Sequence, residues 1–252
     1  MAELAVAAVP EGGADPSDVE YVDGLGRVVR SALMQCWHIP FEDCRPSRSF
    51  PVYRGQKNFT GWWWTATTGT HVGYESWLER AVLIGLDFDP GVVGIASQPF
   101  WLHWSDGKRS RRHAPDYFVR RADGSAGVVD VRADDRIEPR DTEAFAVTAE
   151  ACGRAGWGFE RIGCPPLVRE SNLRWLAGYR HPRCMQPEIA GRLWEAFASP
   201  QPLFEGVEAV GSRLAVLPVL FHLLWRQLLV ADLESALLGA ETIVRLSEGG
   251  TR

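Results

Sequence analysis

Two carboxylates and a cation stand close together near the middle of this chain. Asp116 follows Pro115, where a strand would bend. Residues 122–125 (ADGS) have the composition of a hairpin turn, and the predicted strand behind them carries Asp130 and Arg132. Side chains alternate faces along a strand, so Asp130 and Arg132 point to the same side. A buried apolar strand has no structural use for two such charges, and the pattern predicts a site for a metal ion and a phosphate group.

Phosphodiester hydrolysis is the reaction that this combination of groups suits. It needs a hard divalent cation that polarises the phosphoryl oxygen and lowers the pKa of an attacking water, and Mg²⁺ prefers oxygen ligands. We expect Asp116 and Asp130 to bind Mg²⁺ or Mn²⁺ directly, with the carbonyl of Val131 as a further ligand. Glu75 is expected to reach the ion from a helix, directly or through water. Arg132 is placed to stabilise the negative charge that develops on phosphorus.

The predicted elements around these residues alternate between strands and helices. Apolar residues at helical spacing predict an amphipathic helix over 71–86, with Glu75 and Glu79 one turn apart on one face. The other expected elements are strands over 59–66, 92–97, 100–104 and 157–162, strands at Asp116 and Asp130, and helices over 142–155 and 167–179. This order predicts an α/β fold with a mixed sheet flanked by helices.

The C-terminal segment is predicted to be mainly helical. Its expected elements are helices over 189–197, 202–210 and 214–229 and paired short segments over 228–231 and 242–246. Three helices and a small hairpin suit a winged-helix module, and a plain helical appendage fits almost as well. We therefore expect a disordered tail over residues 1–20, a main domain over 21–183 and a small winged-helix-like domain over 184–252.

Composition limits the cellular setting and the partners. The net charge of -5 gives no global positive field for nucleic acid, although basic runs at 108–112, 120–121 and 180–183 could contact phosphate locally. No apolar run is long enough to span a bilayer, and the five cysteines are odd in number and irregularly spaced. We expect a cytoplasmic protein without disulfide bonds and without a membrane partner.

The motifs resemble a known nuclease signature. Pro115-Asp116 followed by Asp130-x-Arg132 resembles the PD-(D/E)xK pattern, which is loose when taken alone. Four further segments make the similarity more specific: YESWLER (74–80), DFDPGVV (87–93), QP (98–99) and HAPDYF (113–118). In that order and spacing they resemble the N-terminal domain of TnsA, the endonuclease subunit of heteromeric transposases. The resemblance covers roughly residues 52–183, and the smaller C-terminal region is compatible with the winged-helix-like second domain of that family.

The resemblance implies a restriction-endonuclease-like fold and a Mg²⁺-dependent nuclease that nicks one DNA strand at each transposon end. It also implies two protein partners, a DDE-type transposase subunit that performs the joining and an ATP-binding regulator that contacts the C-terminal region. By position, Glu75 matches the helix glutamate of the family and Asp116 its motif aspartate. Asp130 matches the acid or amide of the second half-motif, and Arg132 matches its lysine.

Arg132 is a departure from the family pattern, and it motivates one of the two alternatives to an active transposase endonuclease, the silent adaptor. Arginine keeps its proton and cannot act as a general base, but it can clamp a phosphate oxygen bidentately. The leading hypothesis is an active endonuclease in which metal and water provide the nucleophile and Arg132 offsets charge. The alternatives are a catalytically silent adaptor of the same fold that binds DNA or transposition partners, and a stand-alone restriction or repair nuclease.

Overall fold

The computed structural model describes residues 15–50, 59–105, 107 and 109–247. Four parts of the sequence predictions lie outside the described residues: positions 1–14 of the tail, positions 52–58 of the region that resembles TnsA, Lys108 of the first basic run, and positions 248–252 of the C-terminal domain. The chain divides into two compact units. Of the described residues, those up to 63 and those within 71–79 and 91–164 form the first unit, and residues 64–70, 80–90 and 165–247 form the second.

Strands dominate the chain up to residue 164. The elements of this part are, in chain order, β1 (Asp15–Val22), β2 (Val28–Ala32), β3 (Gly61–Trp64), β4 (His71–Tyr74), α1 (Trp77–Phe88), β5 (Val92–Ser97), β6 (Trp101–Ser105), β7 (Ser110–His113), β8 (Tyr117–Arg121), β9 (Ala126–Val131), α2 (Pro139–Ala155) and β10 (Gly158–Ile162). Strands β3 and β4 pair with each other in a small two-stranded sheet.

Two four-stranded sheets form the framework of the first unit. One is antiparallel and has the strand order β2-β1-β6-β7. The other has the order β10-β9-β8-β5 and is mixed, because β10 runs parallel to β9 whereas the other neighbours are antiparallel. The α/β class is therefore confirmed, but the strands are divided among several sheets and do not form the single mixed sheet that the sequence predicts.

The predicted hairpin between β8 and β9 is present. Its turn contains Gly124 with a φ of 86°, in the left-handed region that glycine adopts without strain. The N–H of Arg121 donates to the carbonyl of Ser125 across the turn (2.9 Å). This tight connection sets the register of the two strands that lead from Asp116 to Asp130.

One cluster of buried side chains joins both large sheets of the first unit to α2. Phe41 lies at its centre and is completely buried. Four rings contact the Phe41 ring at centroid distances between 4.9 and 5.6 Å: Tyr21, Phe100, Phe118 and Trp157. Such aromatic pairs contribute about 0.5–1.5 kcal/mol each beyond their burial. The cluster fixes β8 and β9. Of the candidate site residues, Asp116 directly precedes β8 and Asp130 lies on β9.

The helix that the sequence predicts over residues 71–86 begins later. Residues His71–Tyr74 form β4, and α1 begins only after Ser76. The Ser76 hydroxyl accepts a hydrogen bond from the N–H of Glu79 (3.1 Å), which is the usual contact of an N-cap residue. The prediction that Glu75 lies on a helix face is therefore wrong, because Glu75 belongs to the connection between β4 and α1.

Most other predicted elements of the first unit are present with shifted ends. The strand predicted over 92–97 coincides with β5, and the helix predicted over 142–155 corresponds to α2. At the N-terminus the difference is larger. Residues 15–20, which the sequence assigns to a tail, lie in β1 and pair with β2 and β6.

The second unit contains the C-terminal helices and a small sheet. Its further elements are α3 (Leu167–Leu176), α4 (Pro187–Ala196), β11 (Gln201–Pro202), α5 (Leu203–Val210), α6 (Arg213–Trp225), β12 (Leu229–Ala231) and β13 (Ile243–Leu246). The sheet has the order β11-β13-β12 and is antiparallel. The pairing predicted between the last two short segments is confirmed.

Helix α6 is the central element of the second unit. It is apolar nearly all round, as expected of a helix that packs on several sides. His222 is buried on α6, and its Nδ1 lies 2.7 Å from the carbonyl oxygen of Tyr179. Neither α6 nor any other helix in the described part of the chain has the length and apolar character that a membrane crossing requires.

Candidate active site

Asp116 lies in the short connection between β7 and β8, directly after Pro115. Its backbone carbonyl accepts a hydrogen bond from the N–H of Gln98 (2.8 Å). Its Oδ2 accepts a second one from the N–H of Val131, the last residue of β9 (2.7 Å). The carboxylate is thus held against the neighbouring strand. Val131, whose carbonyl is the expected metal ligand, contacts Asp116 through its N–H.

Asp130 lies on β9 and is only 2 % exposed. The Nε2 of His113, at the end of β7, is 2.9 Å from one carboxylate oxygen of Asp130 and 3.0 Å from the other. A buried carboxylate needs such a partner, because an unpaired ionised group in the interior is costly. His113 therefore supports and orients Asp130.

Two glutamates flank Ser76 at the start of α1. The Oε2 of Glu79 accepts a hydrogen bond from the N–H of Glu75 (2.7 Å), and its Oε1 accepts one from the Ser76 hydroxyl (2.9 Å). Glu79 thereby caps the helix. The Ser-x-x-Glu pattern at 76–79 is a capping-box signature that could have located this helix start from the sequence.

Burial and neighbouring negative charges raise the pKa of Asp116 and of Glu79. Burial raises the pKa of Asp116 well above its ordinary value of 3.8, and the charges of Glu79 and Asp130 raise it further. A backbone hydrogen bond and the cation of Arg48 oppose that effect in part. Burial also raises the pKa of Glu79, and the charge of Glu75 adds to the effect. Glu75, Glu79, Asp116 and Asp130 therefore form one group, called the acidic cluster below.

Arg48 also belongs to this site, although the sequence did not predict it. Its Nη2 donates to Oε2 of Glu75 at 2.5 Å, across 27 positions of chain. Within the described residues, Nε of Arg48 and Oε1 of Glu75 are both buried and have no hydrogen-bond partner. No motif surrounds Arg48, so no pattern in the sequence could have pointed to it.

Arg132 is turned to a different partner. Its Nε and Nη2 donate to Oδ2 of Asp141 at 3.0 and 2.7 Å. Burial acts to raise the pKa of Asp141, but the hydrogen bonds from the N–H of Glu138 and from Arg132 outweigh it, and the pKa is lowered overall. Asp141 also takes part in the capping box of α2. The guanidinium of Arg132 is thus engaged at the start of α2.

Gln98 joins the segments around the acidic cluster. It is 1 % exposed and has a φ of 46°, a left-handed conformation that is uncommon for residues other than glycine. Its N–H donates to the carbonyl of Asp116, and its own carbonyl accepts from the N–H of Ser47 (2.8 Å each). Its side-chain oxygen and nitrogen are buried without a hydrogen-bond partner among the described residues. Backbone strain and an unsatisfied amide at one position are features that concentrate at functional sites.

The acidic cluster has the donor chemistry of a divalent cation site. Among the residues that the structure describes, no group of three or more His, Cys, Asp or Glu side chains is disposed to hold a metal ion. Two observations nevertheless fit a cation. The unpartnered Oε1 of Glu75 is an acceptor for which the described residues supply no donor, and neighbouring negative charges raise the pKa of Asp116. Carboxylate oxygens are the ligands that Mg²⁺ prefers, so donor type and charge fit a hard divalent ion.

Neither a family model nor a curated protein matches this chain. Its function is therefore inferred from the acidic cluster and from the motifs that the chain carries.

Proposed function

We propose that this chain is the metal-dependent DNA endonuclease subunit of a heteromeric transposase and nicks one strand at transposon ends. The acidic cluster is the observation that carries the proposal. Asp116 precedes β8 and Asp130 lies on the adjacent β9, and Glu75 adds a third carboxylate from the start of α1. An aspartate directly before one strand, a second aspartate on the adjacent strand and a glutamate close to a helix start support the resemblance to the PD-(D/E)xK pattern.

In this proposal the carboxylates of Glu75, Asp116 and Asp130 and the carbonyl of Val131 would hold Mg²⁺ or Mn²⁺. A divalent ion supplies Lewis acidity at the phosphoryl oxygen and lowers the pKa of an attacking water. The protein contributes orientation. The N–H of Val131 fixes Asp116, and His113 fixes Asp130, so that both carboxylates are placed before a substrate arrives.

The fold supports the same proposal in both units. The mixed sheet β10-β9-β8-β5 with α2 against it is compatible with a restriction-endonuclease-like domain. The second unit has the order α4, β11, α5, α6, β12, β13, and β13 lies between β11 and β12. We propose that this region is a winged-helix module, since three helices and a small antiparallel sheet in that order suit one.

The partners belong to the proposal through the motif resemblance. They are DNA at transposon ends, a DDE-type transposase subunit that performs the joining, and an ATP-binding regulator that contacts the C-terminal region. The basic residues expected to meet DNA include Arg120, which donates to Glu42 in the structure, and Arg180, which donates to the carbonyl of Trp64. Both guanidinium groups therefore already have structural roles.

A second candidate function is a catalytically silent adaptor of the same fold. The observation that favours it is the engagement of each predicted site residue by a protein partner. His113 binds Asp130, and Asp141 binds Arg132. An adaptor needs no metal, whereas an enzyme with this chemistry does.

Calorimetric titration with Mn²⁺ separates the two candidates. The wild-type chain is expected to bind Mn²⁺, and Asp116→Ala is expected to weaken binding more than about tenfold, because it removes a direct ligand. Asp123→Ala is the matched control, since Asp123 is an aspartate of the β8–β9 turn that accepts a local hydrogen bond from the N–H of Ser125. The same variants are then compared in the nicking of supercoiled plasmid DNA with Mn²⁺.

The endonuclease proposal requires that wild type and Asp123→Ala nick DNA and that Asp116→Ala, still folded by circular dichroism, does not. Metal binding through Asp116 without nicking would favour the adaptor. A wild-type chain that binds no Mn²⁺ would refute the metal site.

A further inference from the structure

A second cation, other than Arg132, faces the acidic cluster. Arg48 pairs with Glu75, and its charge opposes in part the rise in pKa that burial causes at Asp116 and Glu79. Arg132 is bound through two of its nitrogens to Asp141. Arg48 is therefore better placed than Arg132 to contact a phosphate beside the carboxylates, although no sequence motif includes it.

The hydrogen bonding of Arg48 is incomplete in a way that points to a ligand. The Nε and Nη2 of a guanidinium form one edge, which grips carboxylate or phosphate oxygens bidentately. In Arg48 only Nη2 has a partner, and Nε is buried without an acceptor among the described residues. An unsatisfied buried donor costs about 1–3 kcal/mol. An anionic oxygen would supply the acceptor that Nε lacks, and the Arg48 side chain as a whole is 35 % exposed.

Hydrogen bonds connect the segment of Arg48 to Asp116 through Ser47 and Gln98. The N–H of Ser47 donates to the carbonyl of Gln98 (2.8 Å), and the Ser47 hydroxyl donates to the carbonyl of Pro99 (3.0 Å). Gln98 in turn donates its N–H to the carbonyl of Asp116. The positive φ of Gln98 lets its N–H and carbonyl serve both neighbours, so the strained residue holds the cation and the carboxylate in a fixed relation.

We infer that Arg48 is the phosphate-binding residue of this site and contacts a non-bridging oxygen of the scissile phosphodiester. The inference rests on the proposed function. It assigns to Arg48 the stabilisation of charge on phosphorus that the sequence predicts for Arg132. Arginine remains protonated at every working pH, so it binds the phosphate and offsets the charge that develops on phosphorus without moving a proton.

DNA binding measures the phosphate contact without requiring cleavage. A fluorescent duplex oligonucleotide is titrated by anisotropy in Ca²⁺ buffer at several salt concentrations. Arg48→Ala is expected to weaken binding about fivefold to tenfold and to reduce the salt slope by about one, as loss of one phosphate contact does. Arg48→Lys should restore much of the slope, because it restores the charge. Arg30→Ala is the control, since Arg30 pairs with Asp18 on β2 and β1, outside the acidic cluster.

Mn²⁺ affinity distinguishes a phosphate-binding role from a structural one. Arg48→Ala removes a positive charge from the acidic cluster, so Mn²⁺ affinity should rise severalfold while DNA affinity falls. A merely structural arginine would lower both. Melting curves of each variant confirm that it is folded.

The inference is overturned if Arg48→Ala keeps the wild-type salt slope, if it loses Mn²⁺ and DNA affinity together, or if Arg132→Ala shows the phosphate pattern instead. The proposed function fails separately, when wild type binds no Mn²⁺ or when Asp116→Ala binds it as wild type does. Wild-type metal binding and nicking with an unaffected Arg48→Ala variant would leave the endonuclease intact and remove only Arg48 from it.

Discussion

Replacing Asp116 by asparagine should stabilise the metal-free protein at neutral pH. Asparagine keeps the size of the side chain and can still accept the hydrogen bond from the N–H of Val131, but it carries no charge. The charge is what the surroundings oppose, because burial and the carboxylates of Glu79 and Asp130 all disfavour it. A site that destabilises the fold until a cation arrives is expected of a functional cluster and not of a structural one.

The size of the effect follows from two opposing contributions. Burial of a charged carboxylate costs several kcal/mol, and Asp116 is only partly exposed. The hydrogen bond from the N–H of Val131 to the charged carboxylate stabilises the folded state by about 1.5–3 kcal/mol, and the same bond to a neutral amide contributes about 1 kcal/mol. Since Arg48 also offsets part of the charge, a net gain of about 1–2 kcal/mol is expected for Asp116→Asn. In a protein of this size that raises the melting temperature by roughly 2–8 °C.

The pH dependence gives the sign of the effect. The folded pKa of Asp116 is raised above its ordinary value of 3.8, so the native state holds its proton more tightly than the unfolded state. Below pH 3.8 the carboxyl of Asp116 is protonated in both states, so no charge is buried on folding. The wild-type protein loses stability as the pH rises through the folded pKa. The advantage of Asp116→Asn should therefore be largest at neutral to alkaline pH and vanish in acid.

Asp141→Asn is the matched substitution with the opposite sign. The pKa of Asp141 is lowered in the folded state, so its charge stabilises the protein above pH 3.8, and this stability is lost as the pH falls through the folded pKa. Since its ion pair with Arg132 is partly exposed, a loss of about 0.5–1 kcal/mol at neutral pH is expected. Melting curves in EDTA from pH 4 to 9 test both variants. If Asp116→Asn were as destabilising as Asp141→Asn at neutral pH, the electrostatic reasoning about the acidic cluster would be refuted.

Two further predictions concern the elements that hold the site and the second unit. Ser76→Ala should lower stability by about 1 kcal/mol, because it removes the cap that Ser76 provides to the N–H of Glu79, and an unchanged melting temperature would contradict that role. In the second unit, Gly206→Ala should destabilise by about 1–3 kcal/mol, because the added methyl group would overlap the ring of Phe197. Its control is Gly191→Ala on α4, where the added methyl group meets nothing within 4 Å and should stabilise by about 0.5–1 kcal/mol. Urea unfolding checks both glycine variants, and equal effects would show that crowding does not matter at Gly206.

Local sequence patterns predicted the parts of the fold that depend on local interactions. The hairpin turn at 122–125 was found because glycine adopts the required positive φ there, and the helix ending at Ala155 was found from its periodicity. The start of α1 was misplaced because the apolar period continues back through His71–Tyr74, which pairs as a strand with β3. Pairing between strands is a non-local interaction that outweighs a local helical period. The division of strands among separate sheets was missed for the same reason.

The sequence by itself singled out Glu75, Asp116 and Asp130 as the carboxylates expected to bind a metal, because of their type and spacing. The tertiary structure decided which cation accompanies them. Arg132 is two positions from Asp130 in the chain, yet its guanidinium binds Asp141, nine positions further on. Arg48 is 27 positions away from Glu75 and reaches it because hydrogen bonds from the N–H and hydroxyl of Ser47 to the carbonyls of Gln98 and Pro99 hold its segment in place. Competition among charged side chains for partners is settled by distance in space, which spacing along a strand does not specify.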